Sequence, residues 1–239
     1  MDFFHDTSAP PEYEQVAWIA DVAVYAQALG WALSYVEMMY RSIKDRTYGM
    51  SLLALCSNFA WEFTYAVIYP ASGKPERIML TTWLILNVGV MACVIAFAPN
   101  EWNHAPLVKR NLPLIVGFST LAFGSGQVAL AATVGPGLAA NWGSMVCFEL
   151  VCAGNICQLL SRESSRGVSY TMWFSRFFGS FIGYIFYSLR AKHWPQTYSW
   201  LDNPITQWNG GVCCLLEMVY VVLLWHVKRN EKLTGKKYA

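Results

Sequence analysis

The sequence predicts an all-α integral membrane protein whose seven transmembrane helices pack in one bundle. The 239-residue chain is 55% hydrophobic and only 13% charged, whereas soluble domains carry about 25% charged residues. Seven apolar stretches are each long enough to cross a hydrocarbon core of about 30 Å. The segments between them are short, which favours one transmembrane domain over residues 1–239.

The seven apolar stretches account for most of the chain and leave no room for a soluble domain. A span needs about 20 residues at a rise of 1.5 Å per residue. On this basis we predict spans at residues 16–38, 50–69, 78–98, 112–134, 138–160, 170–190 and 206–226. The lipid bilayer is therefore the main surrounding of the protein.

The basic residues are distributed unequally between the two sides of these spans. One side holds four lysines and arginines, and the side of the C-terminus holds twelve: Arg41, Lys44, Arg46, Lys109, Arg110, Arg162, Arg166, Lys228, Arg229, Lys232, Lys236 and Lys237. Because positive loops stay in the cytoplasm, we predict a cytosolic C-terminus and a lumenal N-terminus. Lys236 and Lys237, four and three residues from the end, resemble an endoplasmic-reticulum retrieval signal.

Two stretches of the sequence, 46–59 and 165–178, resemble each other at an offset of 118 residues. Each enters a predicted span from the cytosolic side. This similarity predicts two parallel three-helix repeats joined by the fourth helix, an arrangement known from transporters. The matching pairs are Gly49 with Gly167, Ser51 with Ser169, Phe59 with Phe177, and Tyr69 with Tyr187.

Carboxyl groups inside the predicted spans are the strongest candidates for function, because an intramembrane charge is costly. Four lie well inside: Asp21, Glu62, Glu149 and Glu217. Glu62, Glu149 and Glu217 lie near the midplane, and Glu62 and Glu217 each have a tyrosine three residues later. Removal from water favours the protonated carboxyl, which is the form that a general acid needs. A structural glutamate bonded across helices is the alternative, but two such units at similar depth favour catalysis.

Polar and aromatic residues near these glutamates could contact a substrate. Asn58 precedes Glu62 by one turn, and Arg176, the one cation inside a span, could pair with a carboxylate or bind an anionic group. Aromatic faces stabilise cations by about 2 kcal/mol where water is excluded, although each ring could equally serve core packing. We predict substrate contacts at Asn58, Trp61, Tyr65, Gln127, Trp173, Arg176, Tyr184 and Tyr220.

Several cofactor chemistries lack the residues that they require. The four histidines lie in loops or at span ends, and the seven cysteines lack CxxC spacing, so neither a haem nor a zinc site is indicated. There is no aspartate cluster to hold magnesium and diphosphate, no lysine inside a span for a retinal Schiff base, and no P-loop. We therefore predict chemistry without a metal or cofactor, and no nucleic-acid partner.

Five segments carry a resemblance to a known family: "APPEY" (9–13), "RTYGM" (46–50), "NFAWEFTYAVIYP" (58–70), "EWNHAPLVKRN" (101–111) and "CQLLSRESSRGVSYTMWFSRFFGS" (157–180). Together they resemble the fungal membrane-bound terpene cyclases of paspaline-type indole-diterpene and meroterpenoid pathways. The resemblance runs in order from about residue 9 to residue 227, which is nearly the whole chain.

This resemblance implies that the protein protonates the terminal epoxide of a lipophilic prenyl chain attached to an aromatic or polyketide group. A cation cascade then closes the rings without metal or diphosphate. The two acidic residues implicated in the family match Glu62 and Glu217, the second at a position where members carry aspartate. The resemblance also implies a prenyltransferase and an epoxidase as pathway partners. Which carboxyl is the acid stays open at this stage.

A proton-coupled transporter is the main alternative. A bundle of two parallel repeats with a "QLLSRESSRGVSY" loop (158–170) also resembles small sugar or amino-acid carriers, in which Glu62 or Glu217 would couple proton movement. Such carriers usually have a proline before the glutamine of this loop, whereas here Cys157 precedes Gln158. A seven-helix receptor fits less well, because the loops contain no ligand-binding domain.

Overall fold

The computed structural model describes residues 9–235, and in that range it consists of helices and connecting turns without a strand. The all-α prediction is confirmed. A π-helical turn, Thr64–Ile68, continues α3, and short 3-10 turns follow α4 and α8. The α-helices are α1 (Pro11–Glu14), α2 (Ala17–Asp45), α3 (Leu52–Phe63), α4 (Lys74–Phe97), α5 (Pro106–Val134), α6 (Pro136–Arg162), α7 (Tyr170–His193), α8 (Pro195–Tyr198) and α9 (Pro204–Thr234).

The helix boundaries follow from residues that are suited to them. Pro106, Pro136 and Pro204 are the first residues of α5, α6 and α9, where a missing N–H does not matter and a fixed φ favours the helix. Ser169 caps α7 by accepting a backbone N–H with its side chain. Gly135 separates α5 from α6 at a φ of 84°, which other residues adopt only with strain.

Five segments are long and apolar enough to cross a membrane: Ala17–Asp45, Lys74–Glu101, Pro106–Val134, Pro136–Arg162 and Pro204–Thr234. The apolar segment Leu52–Ile68 is shorter. Helix α7, with its many tyrosine, serine and glycine residues, does not reach the same hydropathy. The protein is thus an all-helical membrane protein with five candidate spans, and crossings by Leu52–Ile68 and α7 stay predictions.

The outer surface of the bundle is apolar, as contact with lipid tails requires. Ile85 on α4 and Phe118 and Leu121 on α5 are 67%, 70% and 70% exposed. Polar side chains are instead buried between the helices: Glu62, Asn87 and Arg176 are each 0% exposed. This distribution is the reverse of that in a soluble protein. The candidate functional groups are therefore the polar side chains in the interior of the bundle.

The two halves of the chain share a pattern of helix neighbours. In the first half, α4 packs against both α2 and α3, and in the second half α9 packs against both α6 and α7. Two contacts join the halves, α2 with α7 and α3 with α6. Helix α5 packs against α3 and α6 and lies at the edge of the bundle.

The most extensive of these contacts, between α2 and α7, depends on glycines. A Cβ atom on Gly30 would lie 2.8 Å from the Cα atom of Gly179, and one on Gly183 would lie 2.9 Å from the side chain of Gln27. Larger residues at these positions would push the helices apart. The Gly179-x-x-x-Gly183 spacing therefore allows close approach of α2, as small residues do in membrane helices.

Candidate active site

Glu62 is a fully buried carboxyl held by three neutral donors. It lies near the end of α3, just before the π-helical turn. The Tyr35 hydroxyl lies 2.5 Å from Oε1, and the Asn58 amide donates to the same oxygen at 3.1 Å. The Asn87 amide donates to Oε2 at 2.8 Å. Within residues 9–235, no lysine or arginine forms an ion pair with Glu62.

Two of these three partners were missed by the sequence analysis. Asn58 was predicted from its position one turn before Glu62 and does share that helix face. Tyr35 on α2 and Asn87 on α4 reach Glu62 only through packing between helices. Asn87 carried a signal, since it is an amide in the middle of an apolar span, whereas Tyr35 is one of 13 tyrosines and carried none.

Tyr65, predicted to stand beside Glu62, faces another direction. Its hydroxyl donates to Gln127 Oε1 on α5 at 3.4 Å, and neither residue lines the pocket that Glu62 lines. A π-helical turn begins at Thr64, one residue before Tyr65. Tyr65 and Gln127 thus lie away from that pocket, and their contacts with a substrate stay predictions.

Glu217 on α9 is buried as deeply as Glu62 but has a charged partner. The Arg176 guanidinium on α7 donates to both carboxylate oxygens, from Nε and Nη2, at 2.9 Å each. The Tyr220 ring lies 5.3 Å from the same guanidinium, and the Cys152 thiol lies 3.4 Å from Oε1. The sequence left open whether Arg176 pairs with a carboxylate or binds an anion, and it pairs with Glu217.

Each glutamate lines a separate pocket. The pocket at Glu62 has a volume of about 80 Å³. The aromatic residues in its wall include Trp31, Tyr35, Trp61 and Trp83. The pocket at Glu217 is much larger, about 720 Å³, and lies along α7 and α9.

Four residues line both pockets, so the two adjoin: Phe148, Ser180, Tyr184 and Tyr187. The two carboxyls therefore do not line one common pocket. The helices place the carboxyls at the walls of two neighbouring pockets, divided by these shared side chains.

Almost the whole chain matches a known protein family. The family model of Pyr4-like transmembrane terpene cyclases matches residues 4–230. The chain belongs to this family. Three named relatives support the assignment over almost the full length of each protein.

The terpene cyclase pyr4 of Aspergillus fumigatus is 55% identical and covers 100% of both chains. The terpene cyclase atmB of Aspergillus flavus is 47% identical over 98% of this chain and 97% of its own. The terpene cyclase paxB of Penicillium paxilli is 43% identical over the same shares. The protein is therefore a membrane-bound terpene cyclase, and none of these relatives supports the transporter alternative.

The remaining predicted residues of the cyclase lie at different distances from the pockets. Trp61 lines the pocket at Glu62, and its indole N–H donates to the Ala140 carbonyl at 2.7 Å. Tyr184 lines both pockets. Trp173 instead donates to the backbone carbonyl of Glu217 at 3.1 Å. Trp61 and Tyr184 are thus placed to touch a substrate, and Trp173 is placed to support α9.

Two other carboxyls inside predicted spans, Glu149 and Asp21, line neither the pocket at Glu62 nor the pocket at Glu217. Glu149 on α6 is half-buried and accepts a hydrogen bond from the Asn209 amide at 3.3 Å. Asp21 on α2 is exposed. In the part of the chain that the structure describes, no three histidine, cysteine, aspartate or glutamate side chains are placed to hold a metal ion together.

Proposed function

We propose that the cyclase starts ring closure by protonating an epoxide at the end of a prenyl chain, and that Glu62 is the acid. The observation that carries this proposal is the contrast in partners. Among the described residues, Glu62 accepts hydrogen bonds from the neutral side chains of Tyr35, Asn58 and Asn87, whereas Glu217 is paired with Arg176. A buried carboxyl without a cation nearby favours its neutral, protonated form. A carboxylate clamped by a guanidinium stays ionised and has no proton to give.

The proposed reaction is an isomerisation in which atoms and charge balance. The Glu62 proton moves to the epoxide oxygen, the bond from that oxygen to the more substituted carbon breaks, and a tertiary carbocation forms. Alkene bonds of the prenyl chain then attack the cation in turn, and loss of one proton ends the cascade. Such a reaction consumes neither metal nor diphosphate.

The three donors around Glu62 support the proton transfer. Once the proton has left, the Tyr35 hydroxyl and the Asn58 and Asn87 amides hydrogen-bond to the new carboxylate. Donors fixed in advance at developing charge are among the largest sources of catalysis. The Tyr35 hydroxyl also accepts from the Asn58 amide at 2.6 Å, which holds the phenol in place.

Glu217 has a different role in this proposal. Its carboxylate lines the larger pocket and keeps its charge through Arg176. We assign it to stabilising the positive charge that develops as the rings close. Tyr184 and Tyr187, which line both pockets, add aromatic faces, and such faces stabilise cations where water is excluded.

The substrate is proposed to be lipophilic and to enter from the bilayer. The larger pocket follows one face of α7 and one face of α9. Phe181 in its wall is 53% exposed on the outer surface of the bundle, so the groove opens sideways toward lipid. The substrate must be prenylated and epoxidised before it arrives, which implies a prenyltransferase and an epoxidase in the same biosynthesis of a meroterpenoid or indole diterpene.

We also propose that all seven predicted spans cross the membrane as two parallel three-helix repeats joined by α5. The shared neighbour pattern of the two halves supports this arrangement. Two hydrogen bonds between the halves also support it. The backbone N–H of Ser51 donates to Asn155, and the side chain of Ser169 donates to Glu37. Ser169 lies 118 residues after Ser51, and Asn155 lies 118 residues after Glu37.

The proposed membrane is that of the endoplasmic reticulum, with the N-terminus in the lumen and the C-terminus in the cytosol. The unequal distribution of lysine and arginine supports this orientation. Lys236 and Lys237 lie outside the described residues. Protease treatment of sealed microsomes should remove a C-terminal tag and spare an N-terminal one, and the opposite result would reverse the orientation.

The function is tested with microsomes that contain the cyclase and candidate prenyl epoxides. We expect a cyclic product of unchanged mass with the wild type. Glu62→Gln should lower turnover by about 10²–10⁴-fold, the usual contribution of a general acid. Glu149→Gln is the matched control, since Glu149 lines neither large pocket, and it should retain activity. Near-wild-type turnover by Glu62→Gln would rule out Glu62 as the acid.

A further inference from the structure

The larger pocket has a polar end that the proposed proton transfer does not use. Along α9, Glu217 is the last residue that lines this pocket, and Gln207, ten residues earlier on the same helix, also lines it. Lys192 at the end of α7 and Asp202 before α9 line the pocket near Gln207. We call Lys192, Asp202 and Gln207 the polar mouth.

The groups of the polar mouth do not fully satisfy one another. The Gln207 amide donates to Asp202 Oδ1 at 2.9 Å, which leaves the other carboxylate oxygen and the amide oxygen able to accept. Within residues 9–235, Lys192 forms no ion pair, although Asp202 lines the same pocket. The mouth therefore offers one cationic donor and two acceptors to a bound molecule.

The middle of the pocket is apolar or small. Phe177 and Phe181 on α7 and Gly210 and Gly211 on α9 line this part of the groove. Ten residues of α9 between Gln207 and Glu217 correspond to about 15 Å at 1.5 Å per residue. A ligand that fills the pocket is therefore elongated, with an apolar body and one polar end.

We propose that the polar mouth binds the ring carried by the prenyl chain and selects a ring that bears hydroxyl or carbonyl oxygens. The Lys192 ammonium donates to a ring carbonyl or enolate oxygen, and Asp202 accepts from a ring hydroxyl. An indole offers a single N–H donor and gives Lys192 nothing to donate to. Lys192, Asp202 and Gln207 are exposed, so a ring without such oxygens leaves them bonded to water and loses only the energy of these contacts.

This inference rests on the proposed function, because it assigns the ring end of the substrate to the mouth and the epoxide end to the pocket at Glu62. Binding can nevertheless be measured without the reaction. Two unreactive analogues serve as probes for the variants, each with an alkene in place of the epoxide, one ending in a hydroxylated, carbonyl-bearing ring and the other in a plain phenyl ring. A third analogue of the same kind, ending in an indole, is compared with the oxygenated one in the wild type. Their Kd values are measured by quenching of tryptophan fluorescence in the purified full-length cyclase.

Lys192→Met should weaken binding of the oxygenated analogue about tenfold, the usual effect of a lost hydrogen bond to a charged group. It should leave the Kd of the phenyl analogue unchanged. Lys74→Met is the matched control, because Lys74 is exposed at the start of α4 and lines no pocket described above. It should change neither Kd.

Equal weakening of both analogues, or no change for either, would overturn the assignment of Lys192. Tighter binding of an indole-ended analogue than of the oxygenated one by the wild type would also overturn it. Glu62→Gln distinguishes a failure of the proposed reaction from a failure of the proposed binding at the polar mouth. That variant should keep the preference for the oxygenated analogue even though it does not cyclise. A wild type that shows this preference but cyclises no epoxide would reject the proposed function and leave the mouth as a binding site.

Discussion

Glu62 and Glu217 are buried to the same extent and have opposite surroundings. Glu62 is 0% exposed and Glu217 is 1% exposed. The first accepts hydrogen bonds from a phenol and two amides, and the second makes two hydrogen bonds with Arg176. A buried charge is tolerated when it is paired. The partners, and not the extent of burial, therefore distinguish these two carboxyls.

The pockets differ in the same way as the glutamates. The pocket at Glu62 holds about 80 Å³ and the pocket at Glu217 about 720 Å³. In the proposed reaction, the smaller pocket holds the epoxide against Glu62 and the larger one holds the body of the prenylated substrate.

Removing the charge of Glu217 should have the largest effect on stability. Glu217→Gln leaves Arg176 buried without a counter-charge, and breaking such a pair costs about 3–5 kcal/mol. The double variant Glu217→Gln with Arg176→Gln should recover most of that stability, since no unpaired charge remains. Thermal unfolding in detergent measures both.

Glu62→Gln provides the contrast for this stability measurement. It replaces one neutral group by another among neutral partners, so its stability should change by about 1 kcal/mol, the size of one hydrogen bond. A large loss of stability in Glu62→Gln together with none in Glu217→Gln would contradict the assigned charge states.

Filling the larger pocket should stop turnover without harming the fold. A Cβ atom on Gly211 meets nothing within 4 Å, so Gly211→Leu places its side chain in the open groove. We expect turnover to fall about hundredfold, since small displacements of reacting groups have effects of that size. Product formation in microsomes measures it.

Gly126→Leu is the matched control for this variant. Gly126 also meets nothing within 4 Å at a Cβ position, but it lies on α5, away from both large pockets. The control should keep wild-type turnover. If Gly211→Leu also keeps it, the groove between α7 and α9 is not the substrate site.

The sequence predicted features that depend on one helix and missed those that depend on several. Both glutamates were located from the cost of an intramembrane carboxyl, and Asn58 was placed beside Glu62 by helical spacing. Tyr35 and Asn87 reach Glu62 from other helices, so no spacing along the chain connects them. Tyr65 donates instead to Gln127 on α5, a contact between helices that spacing along one helix does not predict.

The division of the site into two pockets had a similar cause. The position of each carboxyl along its helix predicts that both lie near the midplane, but that position says nothing about which side chains lie between the helices. Phe148 and Tyr184, together with the other shared residues, determine that boundary. The family resemblance added the reaction, which the residues alone left open between a cyclase and a transporter.

The smallest expected effect comes from shortening Glu217. Glu217→Asp keeps the charge, and the guanidinium of Arg176 can still pair with the shorter carboxylate. The resemblance to cyclases that carry aspartate at this position supports the same expectation. We expect turnover within about fivefold of the wild type, a difference of about 1 kcal/mol in the barrier.

The same shortening at Glu62 should be far more harmful, since an acid must lie within hydrogen-bond reach of the oxygen that it protonates, about 3 Å. Glu62→Asp draws the carboxyl back by one methylene and should lower turnover about hundredfold. The informative quantity is the ratio of the two losses, measured on the same epoxide in the same membranes. A ratio near one would mean that both carboxyls need the same placement, and the division between a proton donor and a charged partner would have to be abandoned.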